Sequence, residues 1–146
     1  PNPDPAQAVA AICQGLNMAR VDAADIDYVN AHATGTPVGD ACEARMLHAV
    51  LGPHVDQTAV SSTKSMTGHL LGAAAAMEAL ACLTAIHHGA IPPTINLDRP
   101  DPACQLNHVA NVAREQKVRV AVSNSFGFGG HNTSLVLKAP ALIQQR

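Results

Sequence analysis

The sequence predicts an α/β fold in which a sheet is covered by helices on both faces. Segments with helical spacing of apolar residues alternate with short β-rich runs, in the order helix, strand, helix, strand, helix, strand, strand. Only 2 % of the 146 residues are aromatic, so the core must use small and aliphatic side chains that let helices pack closely on a sheet. The length fits one domain, and a domain of about 150 residues buries roughly 68–70 % of its unfolded surface.

The first helix is predicted to begin at Pro5, with Asp4 as its cap, and to break down near 15–17. A strand is predicted over 26–31, where polar and apolar residues alternate. It leads into a loop over 32–37 that contains Gly and Pro. Polar groups after such a strand lie where open α/β sheets bind ligands.

The second helix is predicted to run from Asp40 to Leu51. Asp40 and Glu43 have the spacing of a capping box, which predicts that they close the start of this helix. Gly52 and Pro53 are residues that end helices. A short strand over 58–61 is expected to follow.

A polar loop over 62–67 leads to a long Ala-rich helix over about 68–89. Apolar residues occupy nearly every face of this helix, which predicts that it is buried all round. Glu78 interrupts it midway and histidines lie at both ends, so we do not interpret it as a membrane span.

The last part of the chain begins with a proline-rich connection over 92–102. Two strands are predicted beyond it, over 118–122 and 134–137, with a glycine loop over 124–130 between them. Three polar loops therefore follow the C-terminal ends of predicted strands. If those strands are parallel, the loops share one edge of the sheet, and that edge is the candidate site.

Each loop alone is a weak indication of function. A histidine after a strand, such as His32, is more often structural than catalytic. A glycine loop can bind phosphate, but the dinucleotide fingerprint needs a helix after the loop, and here a strand follows. Ser61 and Lys64 match the S-x-x-K pattern of penicillin-recognising enzymes, but Ser61 ends a strand instead of opening a helix, and no K-T-G or S-D-N accompanies it.

Composition excludes several classes of function. A formal net charge of −2 with scattered basic residues argues against nucleic-acid binding. The four cysteines form no C-x-x-C pair, so we expect reduced, buried thiols and no zinc site. No export signal opens the sequence, which favours the cytoplasm. Because Pro1 is not an initiator residue, we expect the chain to be part of a longer one.

Three strings together are far more specific than any one of them. They are VNAHATGTP with the Gly-Asp pair after it (29–40), STKSMTGH (62–69) and NSFGFGG (124–130), and in order and spacing they resemble the C-terminal half of the β-ketoacyl-[acyl-carrier-protein] synthases. IPPTIN (91–96) is similar to the same family. Within it, the resemblance is greatest to the type II elongating enzymes.

The resemblance implies a thiolase-like fold, in which two similar α/β halves pack together. Residues 1–146 then form the C-terminal thiolase-like domain, truncated at its N-terminus, and the nucleophilic Cys lies in an N-terminal half that is absent. A family half has five strands and four are predicted here, so the fifth is expected before Pro1, in the middle of the sheet. None of the four cysteines matches the family's nucleophile.

The activity implied is the decarboxylative Claisen condensation of an enzyme-bound acyl group with malonyl-acyl carrier protein in fatty-acid elongation, an acyltransferase reaction. This chain alone is expected to be inactive. Two alternatives stay open, a non-catalytic partner like a chain-length factor and the ketosynthase of a polyketide synthase. Intact His32, His69 and Lys64 disfavour the first, and the end of the chain soon after Lys138 disfavours a modular polyketide synthase.

The resemblance assigns His32, His69, Lys64 and Phe128 to the catalytic group. The two histidines would donate from Nε2 to the enolate oxygen that forms on the malonyl thioester. His69 is expected at the N-terminus of the long helix, where the helix dipole favours a neutral imidazole. Lys64 would organise the second histidine through acidic partners, with Glu43 as its expected ion-pair partner. Phe128 would complete the oxyanion hole through its N–H and close the acyl tunnel with its ring.

The resemblance also implies supporting positions. Thr34 and Thr36 would bind the phosphopantetheine arm, and Gly127 and Gly129 would let the gate loop move. Asp40 matches an acidic position after the first histidine.

Two further assignments concern Glu78. It lies nine residues beyond His69 on the same predicted helix, so we expect it behind the site. A structural cation is held in some relatives by the positions that match Asn30, Glu78, Ser123 and Asn124.

The implied partners are the acyl carrier protein, which brings the phosphopantetheine, the N-terminal half of the same protein, and a second copy in a homodimer. No cofactor bound by the enzyme itself, no nucleic acid and no membrane is expected.

Overall fold

The computed structural model describes residues 5–140. The predicted cap Asp4 lies outside the described residues. The helices are α1 (Pro5–Ala19), α2 (Pro37–Leu51), α3 (Lys64–Thr67) and α4 (Ala74–His88). The strands are β1 (Tyr28–Asn30), β2 (Ala59–Ser61), β3 (Ala90–Ile91), β4 (Asn107–His108), β5 (Arg114–Glu115), β6 (Val120–Phe126) and β7 (Asn132–Lys138).

The main sheet has five strands in the order β4-β2-β1-β6-β7. Its first four strands are parallel, and β7 pairs antiparallel with β6. Val29 lies between Val60 on one side and Val122 on the other, which fixes the register of the central strands. β3 and β5 form a separate antiparallel pair. The predicted α/β class with a mixed sheet is confirmed.

The expectation that the fifth strand precedes Pro1 is wrong. The fifth strand is β4, at the edge of the sheet beside β2, and it lies within this chain. β4 has only two residues, too few for the alternation of polar and apolar side chains that predicts a strand.

Helices cover both faces of the sheet, and the strands supply the two cores alternately. Val29, Val60 and Val122 pack with α1 and α2 in one core. Tyr28, Ala59 and Ala121 point to the opposite face and pack there with residues of α4, among them Cys82 and Ala85. Since consecutive strand residues face opposite sides, an apolar run that serves both cores is expected in a covered sheet.

The long helix begins later than predicted and is not buried on all faces. A single 3₁₀ turn over Leu71–Ala73 precedes α4. Ala74, Glu78, Cys82 and Ala85 are buried, one residue per turn facing the sheet, while Leu80 and Leu83 are exposed. By length and composition, Leu71–His88 is the one described segment that could cross a membrane, but core helices of soluble proteins also pass that test.

α1 ends at Ala19, just beyond the predicted end over 15–17. Two smaller predictions were wrong. α2 begins at Pro37, with Thr36 as its N-cap residue, so Asp40 and Glu43 lie inside the helix and form no capping box. The cysteines are all free, but Cys13 is exposed and Cys104 is half-buried, so only Cys42 and Cys82 are the buried thiols expected.

Candidate active site

The three polar loops lie at one edge of the sheet, as predicted. β1 is parallel to both β2 and β6, and Asn30 is the register partner of Ser61 and of Ser123. The loops that follow β1 and β2 therefore emerge together, and they carry His32 and Lys64.

The imidazoles of His32 and His69 face each other at this edge. Their ring centroids are 5.7 Å apart and the rings are perpendicular, with an interplanar angle of 88°. The ring of Phe126, the last residue of β6, lies 5.8 Å from His32 on another side. His32 is half-buried and His69 is exposed. The sequence reasoning did not assign Phe126, although it lies in the NSFGFGG string.

The pKa of His32 is lowered to about 4, chiefly by burial and in addition by the nearby positive charge of Lys64 and by His69. Each cause disfavours the imidazolium ion, because that ion would be poorly solvated and close to another cation. His32 is therefore neutral at physiological pH.

The tautomer of His69 follows from a hydrogen bond to its own loop. The backbone N–H of Leu71 donates to Nδ1 of His69 at 3.3 Å. An N–H group can only donate, so Nδ1 carries no proton and the neutral ring has its proton on Nε2. The predicted position of His69 at a helix N-terminus is wrong, since α4 begins at Ala74.

Lys64 pairs with Glu78 and not with Glu43, which corrects the predicted partner. The Lys64 ammonium donates to Oε1 of Glu78, and both residues are buried. Lys64 lines the cavity of the site whereas Glu78 does not, so Glu78 reaches the ammonium from behind. Its second oxygen, Oε2, has no hydrogen-bond partner among the described residues.

Glu43 holds the backbone of the first histidine loop. Its two oxygens accept the N–H groups of His32 at 2.9 Å and Ala33 at 2.8 Å. Nδ2 of Asn124 also donates to it, at 3.3 Å. Burial raises the pKa of Glu43, and these donors act against that rise by favouring the carboxylate.

Asp40 lies one turn earlier in α2. Burial raises its pKa, while the nearby backbone N–H groups over 34–36 and the charge of Lys64 act against that rise. Its buried Oδ1 has no hydrogen-bond partner among the described residues. Thr34 and Thr36 are exposed, which leaves them free to meet a ligand.

The predicted glycine loop is shorter than expected, because β6 continues to Phe126. Its ends are closed by a hydrogen bond from the Gly127 N–H to the His131 carbonyl at 2.7 Å. Gly129 has a φ of 80°, a left-handed conformation that favours glycine. The side chain of Phe128 lies outside the described residues, so its predicted role as a gate stays a prediction.

The four positions of the predicted structural cation are all buried. Glu78 contributes a carboxylate oxygen without a partner, which suits a cation, and Asn30, Ser123 and Asn124 contribute neutral oxygens. No group of three or more His, Cys, Asp or Glu side chains within the described part of the chain could hold a metal ion. The Asn124 amide donates to Glu43 on α2, whereas Glu78 lies on α4 at the opposite face of the sheet. The cation therefore stays a prediction.

A cavity of about 580 Å³ opens between these loops and the connection after β3. His69, Lys64, Thr34, Asp40 and Glu43 line it. Cys104 also lines the cavity, and burial raises its pKa, which disfavours the thiolate. Cys82 lies inside α4, where burial raises its pKa to about 12.

Comparisons with known proteins agree with this geometry. Residues 1–98 match the family model "Beta-ketoacyl synthase, C-terminal domain". The chain is 49 % identical over 138 residues to the 3-oxoacyl-[acyl-carrier-protein] synthase 2 of Synechocystis sp., covering 94 % of this chain and 33 % of that protein. The chain thus spans about a third of the length of the curated relatives it matches.

Two of the solved structures with a similar fold contain a ketosynthase. The ishigamide ketosynthase/chain length factor superposes with a TM-score of 0.91 at 40 % identity, over 95 % of this chain and 34 % of that one. A type II polyketide ketosynthase in complex with its acyl-carrier protein superposes with a TM-score of 0.90 at 30 % identity, over 96 % of this chain and 35 % of that one.

Proposed function

Because this chain belongs to the β-ketoacyl synthase family, we propose that it supplies the His/His/Lys half of the site for a decarboxylative Claisen condensation. The reaction joins an enzyme-bound acyl group to malonyl-acyl carrier protein in fatty-acid elongation. The observation that carries the proposal is the pair of imidazoles, 5.7 Å apart at the edge where parallel strands end. The nucleophilic Cys belongs to an N-terminal half of the complete protein.

The chemistry needs two neutral donors at one point. When malonyl loses carbon dioxide, the electron pair of the broken C–C bond forms an enolate, whose charge lies largely on the thioester oxygen. The carbanion then attacks the acyl thioester and the thiolate of the nucleophile leaves. Two N–H donors aimed at the enolate oxygen stabilise that charge, and removal of one such donor costs about 10²- to 10³-fold in rate.

His32 and His69 meet this requirement for different reasons. His32 is neutral because burial and Lys64 lower its pKa to about 4. His69 has its proton on Nε2 because Nδ1 accepts the N–H of Leu71. We assign the Nε2–H groups of both rings to the enolate oxygen.

Lys64 is an organiser in this proposal and not the base. Its ammonium is committed to Glu78, and its charge is one cause of the lowered pKa of His32. A residue held in a buried ion pair keeps the charge pattern of the site constant during the reaction.

The substrate arm would enter beside Thr34 and Thr36, which are exposed, and Thr34 also lines the cavity. The arm is the phosphopantetheine of an acyl carrier protein, so that protein is the proposed partner and no cofactor is bound by this chain itself. The solved relative in complex with its acyl-carrier protein supports this partner.

The test is His69→Ala in the complete protein that carries this chain. Malonyl-carrier decarboxylation is expected to fall by about 10²-fold or more, since one of two enolate donors is lost. The control is His88→Ala, an exposed histidine at the end of α4. Unchanged decarboxylation in the His69 variant refutes the assignment.

A second candidate is the ketosynthase of a polyketide synthase, because one of the solved relatives described above is a type II polyketide ketosynthase. The same two histidines would serve that reaction. Incubation of the complete protein with malonyl-carrier protein, with and without the enzymes that reduce the β-keto group, separates the two. Fatty acyl products support elongation, and poly-β-ketone products support the polyketide function. A non-catalytic partner subunit would give neither product and would lack the upstream Cys.

A further inference from the structure

Ser62 is the first residue after β2, and its N–H donates a hydrogen bond to a side chain. β2 pairs with β4 through Ala59 and Val60 only. The N–H of Ser62 donates to Oγ1 of Thr94 at 2.8 Å. Ser62 is 5 % exposed, so water cannot readily replace that acceptor if it is lost.

Thr94 is itself fixed by its backbone. Its N–H donates to the Val109 carbonyl and its own carbonyl accepts the N–H of Asn111, both at 2.8 Å. The next residue, Ile95, donates its N–H to Oγ of Ser65 at 2.9 Å. The proline-rich connection is thus tied to the loop after β2 at two successive residues.

Ser62 connects Thr94 to the His32 loop and to the Lys64 turn. Its hydroxyl donates to the carbonyl of Ala33 at 3.0 Å, next to His32. Its carbonyl accepts the hydroxyl of Ser65 at 3.0 Å, next to Lys64. One residue therefore contacts the loop of the first histidine and the turn of the lysine.

We propose that Thr94 is a positioning residue for this site, which through Ser62 fixes the His32 loop relative to the Lys64 turn. The proposal rests on the proposed function, because it concerns the placement of the same groups. Thr94 lines the same cavity as Lys64 and His69. In this proposal Thr94 does not itself touch the reacting atoms. Its hydroxyl acts through Ser62.

The test compares Thr94→Val with Thr94→Ser in the complete protein. Valine keeps the shape of threonine but removes the acceptor, so the buried Ser62 N–H is left without a partner unless the loop moves. A displacement of about 1 Å can cost about 10²-fold in rate, so kcat for malonyl-carrier decarboxylation is expected to fall by about 10- to 100-fold in Thr94→Val, with KM nearly unchanged. Thr94→Ser keeps the hydroxyl and is expected to restore most of kcat.

Hydrogen exchange gives a readout that does not depend on activity. Exchange over 61–68 is expected to be faster in Thr94→Val than in the wild-type protein and in Thr94→Ser, because the Ser62 N–H loses its acceptor.

Thr58→Val is the matched control, since Thr58 is buried at the other end of β2 and its hydroxyl donates to the carbonyls of Ile26 and His54. It is expected to lower stability but to leave kcat and the exchange over 61–68 unchanged. An equal loss of kcat in the Thr58 and Thr94 variants, or no rescue by serine, overturns the proposal.

These outcomes separate this proposal from the proposed function. If the wild-type protein does not decarboxylate malonyl-carrier protein, the proposed function fails. The difference in hydrogen exchange over 61–68 between Thr94→Val and Thr94→Ser still decides the role of Thr94. If His69→Ala abolishes decarboxylation while Thr94→Val retains it, only the role of Thr94 is overturned.

Discussion

His32 is held by its backbone, while its ring is left free to act. Glu43 accepts the N–H groups of His32 and of the residue after it, and Phe126 borders the ring on one side. The carboxylate therefore positions the loop without occupying either ring nitrogen. That separation leaves Nε2 available for a substrate oxygen.

The lowered pKa of His32 predicts its titration in the complete protein. Its imidazole is expected to titrate near pH 4, well below the ordinary histidine pKa of 6.5, because burial and Lys64 disfavour the charged form. The unfolded chain binds a proton at this residue at higher pH than the folded protein. The contribution of neutral His32 to stability is therefore complete above about pH 6.5 and is lost as the pH falls from there toward 4.

Nuclear magnetic resonance of the His32 ring protons, assigned with His32→Gln, measures this pKa. Lys64→Met is a useful companion variant, since removal of the positive charge should raise the pKa of His32 part of the way back. A midpoint near the ordinary value in the wild-type protein contradicts the neutral-donor role.

The sequence was sufficient to predict the main polar groups but not their pairings. His32, His69 and Lys64 were identified from strings whose order resembles a family. The predicted pairing of Lys64 with Glu43 was wrong because Glu43 accepts backbone N–H groups of the His32 loop, whereas Glu78 reaches the ammonium from α4. Leu71 was missed because its contribution is a backbone N–H, which every residue except proline has. Thr94 lies in the IPPTIN string, but no pattern in that string indicates where its hydroxyl points.

At the scale of elements, the Lys64–Glu78 pair ties α3 to α4. Lys64 is the first residue of α3 and Glu78 lies in the second turn of α4. Both side chains are almost fully buried, so neither charge can be solvated if the other is removed. The pair therefore fixes the loop between the two helices, and His69 is in that loop.

Lys64→Met is predicted to lower the free energy of unfolding of the complete protein by about 3–5 kcal/mol, since it leaves Glu78 buried without a counter-charge. The double variant Lys64→Met/Glu78→Gln is expected to recover much of that loss, because no unpaired charge remains. Chemical denaturation of both variants measures the difference. Decarboxylation should stay low in both, so stability and activity separate. A double variant no more stable than Lys64→Met would show that the pair is not the tie between the helices.

Helix positions were predicted better than helix ends. The apolar spacing of α1, α2 and α4 indicated each helix, because that spacing records the face that packs on the sheet. Their first residues depend on local hydrogen bonds. Thr36 precedes α2 because Pro37 suits the first helical turn, and the predicted capping residue Glu43 instead turns inward to the His32 loop.

At the scale of the whole molecule, helices cover both faces of the main sheet, but the outer side of α4 is left exposed among the described residues. α4 covers the sheet with its buried side, and on its other side Leu80 and Leu83 are 56 % and 49 % exposed. A fully buried helix was predicted because apolar residues occupy nearly every face of it. An apolar face indicates packing against protein, including protein outside the described residues. The described residues supply only one such packing surface.

We expect the outer side of α4 to be covered by the rest of the complete protein, since this chain spans about a third of its relatives. Exposed apolar patches of this kind drive association in water. The isolated chain is therefore predicted to self-associate and not to unfold cooperatively as a monomer, although all five strands of its main sheet are present.

Leu80→Lys with Leu83→Lys should shift the isolated chain toward monomer in sedimentation, and the same changes should destabilise the complete protein. Gln7→Lys with Gln14→Lys, at exposed positions of α1, controls for added charge. A wild-type isolated chain that sediments as a monomer and melts in one sharp transition would show that α4 needs no cover.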